Sequence, residues 1–292
     1  MLNQQEIEHI IHRYFKKFKK LFNKIEKHFD ADDIHEFRVE FKKLRAFLRL
    51  LGLEIADAEN LDMPRNLKEI YTVNGKIREL QLQILRIDDI VNAKEKLPNY
   101  RNILKKEIKK LKQELKFWLK HEQVSDMEEK IRVHLPESLK AATIKNFSSF
   151  KFSNIMALFT GKFIADESLH RIRKNIKDIL YVYKIFEEYR IVNMEELFGD
   201  KLKFDHAALV AEELGKFNDL CIALTLLRPE WLSSVKGNEK MQLEKISRHW
   251  MEEKEILKQQ LVEIIVHDYL YKKDESPHDY YSTNKIKQGT GT

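Results

Sequence analysis

Two histidines in this chain each head a row of cations at helical spacing. His35 is followed by Arg38, Lys42, Arg45 and Arg49, and His170 by Arg173, Lys177 and Lys184. At about 100° per residue, the first row falls within a sector of roughly 80° on one helix. Phe37, Phe41, Leu44, Leu48 and Leu51 fill the neighbouring sector, while Glu36 and Glu40 point the opposite way. The second row runs beside Ile172, Ile176, Ile179 and Tyr183, with Lys174 and Tyr181 on its cationic edge. A solvated helix face normally mixes both signs, because opposite charges four residues apart are mildly stabilising and like charges repel. A bound polyanion would relieve the repulsion along such a stripe. The plainer reading is that lysine and arginine stems cover apolar surface and reach water. Recurrence of the stripe, in phase with a histidine both times, favours the polyanion.

The residue types suit phosphate. Arginine forks onto two oxygens, lysine acts as a point charge, and a histidine among cations stays neutral until an anion favours its imidazolium. A second pair of matching strings follows the histidines, Gly75-Lys76-Ile77-Arg78-Glu79-Leu80 and Gly215-Lys216-Phe217-Asn218-Asp219-Leu220. Two matched pairs in the same order argue for a duplicated helical unit. Lys76, Arg78 and Lys216 are added to the candidate phosphate contacts. A secondary basic face joins Arg101, Lys105, Lys109, Lys112 and Lys116, continuing to Lys120 and opposed only by Glu107 and Glu114. It becomes a third basic wall if it lines the same space as the histidine helices.

The elements that must position these rows are helical almost throughout. Ile7, Ile10, Ile11, Tyr14, Phe15, Phe18, Leu21, Phe22 and Ile25 form one apolar stripe. Asp30 to Asp33 offer N-caps for a second helix through Leu51, with Gly52 as a left-handed C-cap. Pro64 opens a helix to about Ala93, and Asn99 to Lys120 reads as another. Pro136 marks a break. Ser148 to Ser153, poor in helix formers, reads as irregular, after which helical patterns run to about Tyr271. Strand alternation is absent over any useful length. The expected organisation is a first half over 1–138, a second half over 139–271 and a disordered tail over 272–292.

Composition bounds the rest. The 292 residues are 43% hydrophobic, enough for a sizeable core, and 34% charged. Eight glycines and five prolines are few for a parallel-sheet enzyme with many tight turns. The lone Cys221 forbids an internal disulfide and a cysteine-cluster metal site. The formal net charge of +6 suggests polyanionic partners. No run of about 18 apolar residues is present, so no membrane span is expected. The start MLNQQEIEHI has no signal-peptide pattern. A cytoplasmic protein is the default expectation.

At the histidine rows the sequence resembles the CHAD family, the conserved histidine alpha-helical domain. The family's mark is a histidine with arginine three residues on and basic residues near +7, +10 and +14, occurring twice. His35, Arg38, Lys42, Arg45 and Arg49 fit it. The copy at His170, Arg173, Lys177 and Lys184 departs at Leu180, where a basic residue is usual, and Tyr181 after it fits. The Gly75 and Gly215 strings match the family's later motifs, with Glu79 in place of aspartate. The resemblance spans about residues 5 to 270. It implies an all-α fold of two antiparallel four-helix bundles related by a pseudo-twofold, with the basic stripes facing a central groove or pore. It also implies binding of inorganic polyphosphate and association with polyphosphate granules.

The expected function is non-catalytic polyphosphate binding, with no catalytic residues, no cofactor and no metal. The alternatives are metal binding or phosphoryl acceptance at the histidines, or a basic scaffold for nucleic acid or an acidic protein. HEFRV is not HExxH, no P-loop is present, and no acidic cluster near the histidines suggests magnesium. Nucleic acid is disfavoured but open, since aromatics are not interleaved with the basic stripe. Nothing in the sequence speaks to oligomeric state.

Overall fold

The computed structural model describes residues 2–55, 61–90, 97–158, 164–190 and 201–266, with the side chains of the last segment described from Phe204 onward. The expected tail over 272–292 lies outside the described residues. Helix α1 (Gln4–His28) opens on a capping box in which Asn3 and Glu6 each accept the other's backbone N–H. Every residue of its apolar stripe is buried, from Ile7 to Ile25. Leu2 and Asn3, just before it, pair antiparallel with Leu139 and Ser138, a two-residue ladder in an otherwise helical chain.

Asp30 caps α2 (Ala31–Leu51) by accepting the Asp32 N–H at 2.8 Å. The left-handed residue expected at Gly52 is instead Phe29, at φ 52° in the α1–α2 turn. A non-glycine residue there costs roughly 1–2 kcal/mol. Phe29 offsets this by burying its ring, against which Lys112 and Lys116 lie at 4.9 and 5.6 Å. Gly52 stays right-handed at φ −58° and leads into a short 3₁₀ turn, because the chain coils on through Glu54.

Helix α3 (Arg65–Ile90) follows Pro64, α4 spans Pro98–His121, and α5 spans Val124–Arg132. Helix α6 (Ala141–Ala157) runs straight through the stretch expected to be irregular. Tertiary contact overrides weak propensity here. Ile144, Phe147 and Ile155 are buried, and the Lys151 ammonium meets Asp178 at 2.7 Å. Then come α7 (Asp166–Glu188), α8 (Lys201–Thr225), the short α9 (Pro229–Leu232) and α10 (Gly237–Val266).

Helices α2 and α7, the two histidine bearers, pack directly on each other. Helix α2 rests on α1 and α3, while α7 rests on α6 and α8. One apolar cluster crosses residue 138, joining α1 to α5 with Leu139, Ile144, Phe147, Val182, Ile185 and Phe186. A second gathers Ile155, Ile172, Ile176, Ile179, Leu214, Phe217 and Leu261. An aromatic chain leads from the first cluster toward the cationic row. Phe18 meets Phe37 at 5.4 Å, Phe37 meets Phe41 at 6.1 Å, and Phe41 stacks on Tyr71 at 4.1 Å. Tyr71 is therefore held from below, and its position fixes what lies above it.

Candidate anion-binding site

The arginine three residues after each histidine lies across a glycine of the long helix that follows, Arg38 of α2 at Gly75 of α3 and Arg173 of α7 at Gly215 of α8. A Cβ at Gly75 would collide with Arg38 Nη1, and a Cβ at Gly215 would stand 3.6 Å from Arg173 Nε and Nη2. Gly75 thus provides a notch in α3 that Arg38 fills. The same guanidinium donates to the Tyr71 carbonyl at 3.1 Å and lies 4.5 Å above the Tyr71 ring. Arg45, two turns on, reaches the same ring at 5.6 Å. Tyr71 escaped the sequence reading; its signal was its place one turn before Gly75, on the same face of α3.

The histidines occupy matching settings with different partners. His170 Nδ1 lies 2.7 Å from Asn218 Oδ1. His35 faces Arg78, which holds the same place in its string as Asn218 does. Burial, Arg78, Lys42 and Arg38 together pull the His35 imidazole below its ordinary value, toward the neutral form.

The two cationic rows converge at Lys42. Its half-buried amine is surrounded by Arg38 and Arg45 of α2 and by Arg173 and Lys177 of α7. Burial and then these four cations pull it down to about 7. No ion pair among the described residues neutralises it. Lys177 is also lowered, by burial and then by Arg173 and Lys184, with Glu212 opposing. Tyr181 joins the cluster beside Arg173, Tyr71 and Arg45, and burial raises its hydroxyl. The Nε atoms of Arg45, Arg78 and Arg173 are buried with no hydrogen-bond partner among the described residues. Three orphaned guanidinium donors and an unneutralised amine make a site built to accept oxygens from an anion.

Other candidates lie differently. Arg49 pairs with Asp178 of α7 at 2.8 Å, where Lys151 also bonds, so it ties α2 to α7 instead of standing free in the row. Asp178 lies eight residues after His170 on the face that meets α2 and α6, a role not visible in the sequence. Leu180, where the second row lacks a cation, is buried in the second apolar cluster. Lys174, Lys184 and Lys76 are exposed. Lys216 is held by Glu213 at 2.6 Å. Arg101 pairs with Asp88 at 2.6 Å, Lys105 and Lys109 are exposed, and Lys112 and Lys116 lie on Phe29. Helix α4 packs on α3 and α1, whereas the cations that lower Lys42 come from α2 and α7.

Acidic groups are also present at the edge. Glu79 is raised by burial and by Asp219, its counterpart in the other string, against Arg38 and Lys76. Arg86 donates to the Asp219 carbonyl at 2.6 Å, linking α3 to α8. Among the described residues no group of three or more metal-ligating side chains comes together, and no helix is long and apolar enough to cross a membrane.

The family model of the CHAD domain matches residues 9–228. The crystal structure of the CHAD domain from the plant Ricinus communis superposes with a TM-score of 0.69 at 15% identity, covering 91% of each chain. No curated protein matches.

Proposed function

Because this chain belongs to the CHAD domain family, we propose that it binds inorganic polyphosphate, without catalysing its turnover, at the cationic cluster shared by α2 and α7. The observation that carries the reading is Lys42, set among Arg38, Arg45, Arg173 and Lys177 with no ion pair to an acid among the described residues. A cluster of this kind carries an electrostatic cost in the free protein that a polyanion removes on binding. Cations come from both helices, so one flexible chain can engage both rows. We place the protein in the cytoplasm, at polyphosphate granules, with the two halves forming four-helix bundles about a pseudo-twofold and the basic rows facing a central groove.

The test is calorimetry with polyphosphate of defined lengths at several salt concentrations. Each neutralised phosphate releases counterions, so log affinity falls with log salt by roughly 0.7 per contact. Long chains should bind at least about tenfold tighter than pyrophosphate, since each further engaged phosphate adds to one tethered event. Equal affinity for orthophosphate and polymer would sink the proposal, and so would preference for a single-stranded oligonucleotide over polyphosphate. Release of orthophosphate from the bound polymer would overturn its non-catalytic part.

The glycine notches give a sharper test. In Gly75→Ala the new methyl must displace the Arg38 fork, whose far end is flexible. The fold should survive, because the helix gains roughly 0.5–1 kcal/mol of propensity. Polyphosphate affinity should fall roughly tenfold, about 1.4 kcal/mol. Gly215→Ala, with Arg173 at 3.6 Å, should leave affinity unchanged and raise the melting temperature slightly. Comparable affinity loss in both variants would show that the notch is not what positions Arg38.

A further inference from the structure

A cleft of about 620 Å³ opens between α1, the outer face of α2 and the end of α7. It lies roughly opposite the Lys42 cluster, since Glu36 and Glu40 line it and the row from His35 to Arg49 falls on the other side of α2. Its size suits a small organic molecule. Three features of its lining are chemically distinct.

The rim is cationic. Lys16 and Lys20, one turn apart on α1, are exposed, and no ion pair among the described residues engages them. Two ammonium groups at this spacing can bracket one phosphate group. Beside them, the exposed Arg13 lies with its guanidinium 4.9 Å over the Tyr189 ring, and His9 meets that ring edge-on at 6.5 Å. A guanidinium held flat on one aromatic ring can take a second planar group on its other face.

The floor accepts. Glu40, 5% exposed, is shared by Lys17 and Lys43 at 3.1 Å each, and Glu188 also lines the cleft. The Tyr14 hydroxyl is buried, with no hydrogen-bond partner among the described residues. Burial and then the carboxylates Glu40 and Glu188 raise it, so it packs under the cleft as a neutral phenol.

A free inorganic anion would use only the rim. A ligand with a phosphate, a plane and its own N–H donors would use all three features. We propose that this cleft binds a nucleoside phosphate. The phosphate sits between Lys16 and Lys20, the base stacks on Arg13 over Tyr189, and the base or sugar donors meet Glu188. This site is separate from the polyphosphate reading and stands or falls apart from it.

Calorimetry of the full chain with ADP, and with orthophosphate as the comparison, tests it. ADP should bind at one site per chain. Lys16→Glu with Lys20→Glu should weaken ADP at least about tenfold, the scale of a lost charge-assisted contact, while polyphosphate affinity changes less than about twofold. Arg13→Ala should weaken ADP without altering the melting temperature. In Arg38→Glu with Arg45→Glu, ADP binding should persist. Three results would each overturn the proposal: no ADP binding, loss of ADP binding in the Arg38/Arg45 variant with retention in the Lys16/Lys20 variant, or orthophosphate binding as tightly as ADP.

Discussion

Arg38→Glu combined with Arg45→Glu is expected to lower polyphosphate affinity by at least about 100-fold, with helix content unchanged by circular dichroism. Losing one member of a desolvated charge pair costs about 2–5 kcal/mol, and here two attractions become repulsions. The choice of residues follows from their surroundings. Arg38 and Arg45 both lie over Tyr71, and both face Lys42. The Arg45 Nε has no partner to abandon, so its reversal strands nothing in the free protein. Arg38 gives up its bond to the Tyr71 carbonyl, a modest loss at a half-buried position. Arg49→Ala is the control. It should spare affinity and lower stability, because it leaves Asp178 with Lys151 alone across the α2–α7 contact. Full binding by the double reversal would place the polyanion elsewhere, with the Arg101–Lys120 face the next site to test.

The second large effect is on pH dependence, and it centres on Lys42. In the unfolded chain its amine titrates near the ordinary 10.5, whereas the folded free protein holds it at about 7. A depressed folded value means that the unfolded state binds more protons between these limits. Lys42 therefore makes stability rise with pH from about 7 to 10.5, and that contribution is lost as pH falls through 7. Bound polyphosphate works in the opposite sense, pulling the amine back up. Binding then takes up a proton above pH 7, and affinity should fall roughly tenfold between pH 7 and 8.5 for one such group. Lys42→Met should flatten this slope, weaken binding at pH 6, and raise the melting temperature of the free protein below pH 7. Calorimetry in buffers of different ionisation enthalpy counts the protons directly. Identical, flat profiles for the original and Lys42→Met proteins would show that this amine is not part of the site. His35, already lowered by burial and by Arg78, should add a smaller effect, so His35→Ala should cost more affinity near pH 6 than near pH 8.

Much of the architecture was legible because helical periodicity is a local property. All nine stripe residues of α1 are buried, and the histidine rows sit on the helices that their spacing indicated. Where the reading failed, distant contacts had decided. The 148–153 stretch looks irregular from its own serines and phenylalanines, yet burial of Phe147 and the Lys151–Asp178 pair hold it helical. Gly52 looked like the left-handed cap, but the turn that needed positive φ came at Phe29, where ring burial outweighs backbone strain.

For the candidate site, the repeated spacing alone determined which cations share a face and which acids are kept off it. The order of the Gly75 and Gly215 strings also paired each histidine row with its own glycine, and the Arg38–Gly75 and Arg173–Gly215 contacts carry that pairing into space. Only the tertiary structure decided which cations remain unpaired. Arg49 belongs to the same stripe as Arg38 and Arg45, but its partner lies 129 residues away on α7. Lys42 owes its lowered amine first to burial and then to cations of both helices, Arg38 and Arg45 on its own and Arg173 and Lys177 more than 130 residues on. Charge sign and helical face are set by the local chain. Electrostatic energy depends on distance and solvent exposure, and these exist only once α2 and α7 have packed together.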